Sequence, residues 1–228
     1  MILAETQGYA FLGGTFDPIH KGHLAMAEHA RHTLGFEQVA LMPSGQPVHR
    51  TVAGRTAQQR LAMVELALAD QSKLLVDASE VLSSEPSYTL TSLKRLRQQV
   101  GAQVPLVMVM GMDSLMTLHT WRGWQEFLGY CHLFVCARPH YSGSLPEASA
   151  EWFNHHVCDN VEALQSLPCG KVYVSADTAQ DISATSIRQA LAAASQGDEA
   201  AIEQLKKWLP SPVINYIYTH QLYGVSPA

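Results

Sequence analysis

Six short apolar runs, spaced so that a helix fits between neighbours, limit the folds open to this chain. They cover residues 9–13, 38–42, 73–77, 105–110, 131–136 and 171–174. The fourth, PLVMVM, is apolar throughout. A strand with one wet face alternates apolar and polar residues, whereas a strand covered on both faces of a parallel sheet need not. Between the runs the period becomes helical. Leu24, Ala27, Ala30 and Leu34 share one face of a helix over 22–34, and Gly35 follows as a stop. A second helix over 57–69 has Leu61, Val64, Glu65 and Leu68 in register. A third, over 88–100, carries Leu93, Leu96 and Val100 on its buried face. Residues 43–55, rich in Pro, Gly and Ser, form a loop. A further helix starts at Ser183 or Thr185 and runs to about Ala194, and residues 175–228 are mostly helical. Residues 142–160 are the least periodic and are expected to be an insertion or excursion. Strand and helix in alternation with short links predict an α/β chain with a parallel sheet, in one domain over 1–228.

Composition narrows the function classes. A hydrophobic fraction of 47% and a charged fraction of 15% suit a globular core and argue against disorder. The net charge of −5 argues against a general nucleic-acid binder, so an anionic substrate must be met by local positive groups. No apolar run has the length of a membrane span, and MILAETQGY has no basic region ahead of its apolar residues, so no membrane association is expected and cytoplasm is the expected compartment. Cys131, Cys136, Cys158 and Cys169 show no CxxC spacing and are expected to be reduced thiols. His155, His156 and Cys158 are potential metal ligands without a second cluster at zinc-like spacing, so no metal site is expected there.

The stretch FLGGTFDPIHKGHL, residues 11–24, spans the end of the first strand and the start of the first helix. Gly13 and Gly14 let a ligand approach the backbone beyond the strand's carboxyl end, where open parallel sheets bind ligands. The first turn of the helix presents unpaired N–H groups that favour an anion. His20 and His23 occupy neighbouring positions of one helical face, with Lys21 beside them. Positive charge at a helix N-terminus opposes the helix dipole, and is sensible where a polyphosphate docks.

GTFDPIHKGH resembles the signature of the nucleotidyltransferase superfamily that carries a His-x-Gly-His motif. The resemblance implies a Rossmann-like doubly wound parallel sheet. It also implies attack of a phosphate on the α-phosphorus of a nucleoside triphosphate with release of pyrophosphate. ISATSIR, residues 182–188, resembles the superfamily's partner motif. Hydroxyls at a helix start, with Arg188 one turn in, make a second phosphate cradle, although Ser183 or Thr185 can also serve as a plain cap. Across the middle of the chain, PSGQPVHR (43–50), PSYTLTSL (86–93), MGMDSLMTLHTWRGWQEFL (110–128), CARP (136–139) and SPVINYIYTHQLY (211–223) resemble the bacterial nicotinate-nucleotide adenylyltransferase family.

That resemblance implies AMP transfer from ATP to nicotinic acid mononucleotide in NAD biosynthesis, with Mg²⁺ accompanying ATP and no protein ligand to the metal. His20, His23 and Arg188 are the expected catalytic residues. The histidines donate to the triphosphate, Thr15 and Ser183 add neutral donors, and Arg188 holds the β- or γ-phosphate. Gly13, Gly14, Phe16, Gly22 and Ile187 complete the motif side of the ATP site, Gly111 and Asp113 contact its ribose, and Arg138 joins it after a strand end. The pyridine mononucleotide is expected at Arg50, Tyr88, Thr89 and Trp121. Trp121 stacks on the ring, Thr89 meets the carboxylate at a helix start and Arg50 meets the phosphate, while Trp124 is expected in the core. Three positions depart from the family pattern: Lys21 in place of an aromatic, Ser92 in place of threonine and His140 in place of glycine. The rivals are a sister enzyme acting on nicotinamide mononucleotide or pantetheine phosphate, or transferring cytidylyl, and a nucleotide-sensing protein without turnover. The partners expected are small molecules, with no nucleic acid, in a monomer or homodimer.

Overall fold

The computed structural model describes residues 8–45, 55–137, 145–175 and 182–225. Among them, one fully parallel sheet contains β1 (Tyr9–Gly14), β2 (Val39–Pro43), β3 (Leu74–Val76), β4 (Leu106–Gly111), β5 (His132–Cys136), β6 (Val157–Cys158) and β7 (Val172–Ser175). The spatial order is β3-β2-β1-β4-β5-β7-β6. From β1 the chain winds outward through β2 to β3, then crosses back to start β4 on the other side of β1. The crevice beyond the carboxyl ends of β1 and β4 is therefore the topological switch point.

Side chains alternate across the sheet into two cores. Leu12, Leu41 and Val109 point to one face and Phe11, Met42 and Met108 to the other. Helices α1 (Lys21–Leu34), α2 (Ala57–Leu68), α7 (Ala184–Ala194), α8 (Glu199–Trp208) and α9 (Ser211–Thr219) cover the first face with residues such as Ala27, Met63, Leu191, Leu205 and Ile217. Helices α3 (Thr89–Val100) and α4 (Met112–Thr117) cover the second through Leu93, Leu96 and Leu115, joined by Trp124 and Phe127 from a 3-10 segment. With helices on both faces, near-continuous apolar runs are the arrangement that burial requires. Among the described residues no helix is long and apolar enough to cross a membrane.

One expectation is corrected. The buried face of α2 is Arg60, Met63, Val64, Ala67 and Leu68, while Glu65 is exposed and Leu61 only half-buried. The pattern misled because an arginine on the buried face looks like a solvent position, which rotates the apparent stripe. The described part of 142–160 carries α5 (Glu147–His156) and the two-residue edge strand β6, ahead of α6 (Glu162–Ser166), so the chain leaves β5 for the sheet edge before it returns to β7. A strand this short has no period to detect, and only pairing with β7 defines it. Within it, the Nδ1 atoms of His155 and His156 hydrogen-bond the carbonyls of Glu151 and Trp152, and the Cys158 thiol approaches the carbonyls of Asn160 and Val172.

Candidate active site

A cavity of about 290 Å³ occupies the switch point. Its floor is Gly13 and Gly14 at the end of β1 and Gly111 at the end of β4; its walls are the first turns of α1 and α7. A Cβ on Gly111 would lie 2.5 Å from the Asp113 carboxylate, so glycine there lets Asp113 fold back over the end of β4. A Cβ on Gly22 would lie 3.0 Å from the His20 ring and 3.6 Å from Ile182, the residue before the α7 cap. The tight approach is to the His20 ring, so glycine at 22 leaves that ring its place, while Ile182 lies at ordinary packing distance.

His20 is the N-cap of α1 and is buried. Its ring stacks on that of His23 with centroids 3.6 Å apart, and Phe16, at φ 51°, packs edge-on to His23. The His23 Nδ1 accepts the His20 backbone N–H at 3.3 Å. An accepting Nδ1 places the ring proton on Nε2, which makes His23 a donor while still neutral. Burial, and then the neighbouring His20 charge, lower the His23 pKa well below 6.5. Two stacked imidazolium rings would repel, so the free site favours a neutral His23. The pair is a polar donor set that a polyanion can convert to positive charge.

Lys21 does not line the cavity. Its Nζ donates to the Lys206 carbonyl in the last turn of α8 at 2.9 Å, a favourable place for a cation at a helix C-terminus. On the opposite wall Ser183, not Thr185, caps α7 by accepting the Ser186 N–H at 3.0 Å. Arg188 projects from the next turn; its Nη1 donates to the Asp17 carbonyl at 2.8 Å and its Nη2 to the Thr185 hydroxyl at 3.1 Å. Cys136 also lines the cavity, but burial pushes its thiol up to about 12, so it offers no thiolate nucleophile.

The structure brings Gly13, Gly14, Thr15, Phe16, His20, Gly22, His23, Gly111, Asp113, Ser183 and Arg188 into this one cavity. Ile187 is fully buried in the core and does not line the cavity, whereas Ser183, Thr185 and Arg188 around it do. Tyr88, Thr89 and Trp121 do not line this cavity. Tyr88 caps α3, Thr89 opens it, and the Arg122 guanidinium lies 4.7 Å over the Tyr88 ring. That contact draws the start of α3 and the Trp121 segment together, with Leu90 packed close over Gly123. Trp121 is half-buried edge-on to Phe127, and Trp124 is in the core as expected. Arg50 and Arg138 lie outside the described residues.

Sequence reasoning missed Arg60. Its guanidinium, 1% exposed, donates to the carbonyls of Thr15 at 2.6 Å, Ser44 at 2.6 Å and Gly45 at 2.8 Å. It therefore ties the loop after β1 to the loop after β2. The available signal was an arginine four residues before Val64 on an otherwise apolar face, a position where an unpaired charge is not tolerated.

A family model described as cytidylyltransferase-like matches residues 11–190. A probable nicotinate-nucleotide adenylyltransferase of Yersinia pestis is 42% identical over 217 residues, covering 94% of each chain. One of the same description from Pectobacterium atrosepticum is 41% identical over 216 residues, 94% of this chain and 97% of its own. The solved nicotinic acid mononucleotide adenylyltransferase of Plasmodium falciparum, complexed with NaAD, superimposes with a TM-score of 0.71 over 96% of this chain and 98% of its own, at 17% identity, a likeness of fold. A doubly wound sheet, two helix starts facing one cavity, and near full-length similarity to curated relatives lead to one place: this chain belongs to the nicotinate-nucleotide adenylyltransferase family.

Proposed function

We propose that this protein transfers the adenylyl group of ATP to nicotinic acid mononucleotide, giving nicotinic acid adenine dinucleotide and pyrophosphate for NAD synthesis in the cytoplasm. The carrying observation is the convergence of His20, His23 and Arg188 on one cavity over the glycine ends of β1 and β4. The mononucleotide's phosphate oxygen attacks the α-phosphorus, and the bond from that phosphorus to the bridging oxygen breaks, so the charge leaves with pyrophosphate. The nucleophile arrives as an anion, so the chain's task is alignment and charge stabilisation. His23 donates through Nε2 to the triphosphate, His20 lies stacked beside it, and Arg188 offers its fork to the β- or γ-phosphate. Thr15 and Ser183 border the same cavity as neutral donors. Gly111 and Asp113, at the end of β4, take the ribose hydroxyls.

Mg²⁺ fits this site as part of the ATP complex. The carboxylates in the described cavity wall are Asp17 and Asp113, and one Asp17 oxygen already accepts the Tyr223 hydroxyl. That donor set suits an ion held by phosphate oxygens and water better than an all-protein cage.

The acceptor's pyridine ring is assigned to Trp121 and its carboxylate to Thr89 at the start of α3, with Tyr88 beside it and Arg50 meeting its phosphate, while Arg138 belongs with the ATP site. An acid acceptor gains from the N–H groups of a helix start, and a neutral amide gains less. Pyrophosphate release with ATP and Mg²⁺ tests this. Nicotinic acid mononucleotide is expected to turn over at least about tenfold faster than nicotinamide mononucleotide, the equivalent of one charge-assisted hydrogen bond. Equal rates would sink the assignment of the carboxylate to Thr89.

A further inference from the structure

We propose that Tyr223 is a positioning residue for this transfer, holding Asp17 and through it Arg188; the inference rests on the function proposed above. Tyr223 lies in the short 3-10 turn Leu222–Gly224 after α9, far along the chain from the β1–α1 loop. Its hydroxyl nevertheless donates to Asp17 Oδ1 at 2.6 Å. Asp17 is 7% exposed and lines the cavity, and its carbonyl receives Arg188 Nη1 at 2.8 Å. One residue thus takes a bond from the C-terminal turn and another from the phosphate arginine. The Arg188 fork is oriented before a ligand arrives, with two of its five N–H donors set on fixed protein oxygens.

Two observations separate this from ordinary packing. Tyr223 adopts φ 61°, ψ 22°, a left-handed conformation that a bulky residue avoids unless its surroundings impose it. Asp17 is also a carboxylate in the wall of a cavity read as a triphosphate site, where an unrestrained negative charge would repel the ligand. The Tyr223 hydroxyl binds that charge on the C-terminal side, and Arg55 lies 4.4 Å over the tyrosine ring. Without the hydroxyl, Asp17 is released to turn toward the ligand or onto Arg188.

Tyr223→Phe removes only the hydroxyl and keeps the ring beneath Arg55. The first readout is the Kd for ATP with Mg²⁺ by calorimetry, which needs no acceptor and so stands even if the acceptor assignment fails. The second is kcat on whichever acceptor the wild type uses. Tyr223→Phe is expected to weaken ATP binding or lower kcat by about tenfold, the scale of a sub-ångström misplacement of a binding group. In an Arg188→Ala background the same substitution should add less than about twofold, because the group it positions is gone. Wild-type values in the single variant, or a full tenfold loss repeated in the Arg188→Ala background, would overturn the proposal.

Discussion

Replacing His23 with alanine is expected to lower kcat by about 10²- to 10³-fold, the usual cost of removing one preorganised donor from a site of developing charge. Stability should fall far less, since the folded protein loses one hydrogen bond, from the His20 N–H, worth about 1 kcal/mol. A variant that folds and retains near-normal kcat would remove His23 from the mechanism. The ring also has a pH signature. Burial, followed by the His20 charge, lowers its pKa below the ordinary 6.5, so the unfolded chain binds more protons than the folded one as the pH falls under that value. The contribution of His23 to stability is therefore complete above pH 6.5 and is lost as the pH drops toward its folded pKa. His23→Ala should flatten that part of the stability–pH curve. Binding a triphosphate favours the charged ring, so ATP binding near pH 6 should take up protons in the wild type and fewer in the variant. Calorimetry in two buffers of different ionisation enthalpy measures that difference.

Arg60→Met is expected to be the most destabilising single substitution at the site, by about 3–5 kcal/mol, because three backbone carbonyls lose a charged donor at once. Methionine fills much of the volume but leaves the carbonyls of Thr15, Ser44 and Gly45 without their donor. An orphaned acceptor costs about 1–3 kcal/mol where it is buried, as at Gly45, and less at the part-buried Thr15 and Ser44 carbonyls, and the loss is partly offset because the arginine's own desolvation no longer has to be overcome. That desolvation is visible in the guanidinium itself, whose pKa burial lowers. Arg60→Lys should recover only part of the loss, since a single ammonium cannot match a planar fork spanning two loops. Urea unfolding compares the three proteins. An Arg60→Met midpoint matching wild type would show that the two loops hold their shape without the bridge.

The different fates of these two residues show how legible the site was in the sequence. His23 stands in a compact motif where a strand end, two glycines and a helix start follow within a few residues. Local geometry alone then aims the ring at the sheet's carboxyl edge. Arg60 carries no such neighbourhood; its partners lie on two loops that only the sheet brings together. Tyr223 is more remote still, since its bond to Asp17 closes nearly the whole chain. Lys21 illustrates the opposite error. Its place inside the motif pointed to the anion, yet α8, near the chain's end, supplies the carbonyl that its ammonium takes.

What the sequence by itself determined was a parallel sheet covered by helices on both faces and two helix starts that offer free N–H groups. Apolar runs without alternation require cover on both faces, and a glycine turn followed by a helix start presents N–H groups wherever it occurs. These are local consequences of backbone geometry and burial. Only the tertiary structure decided that α7 approaches α1 across Gly22, that Arg188 is steered by the Asp17 carbonyl, and that Arg60 and Tyr223 clamp the β1–α1 loop from two sides. Each of those joins segments distant in the chain. A buried guanidinium or carboxylate is tolerated only where partners converge on it, and that convergence exists only once the sheet has wound.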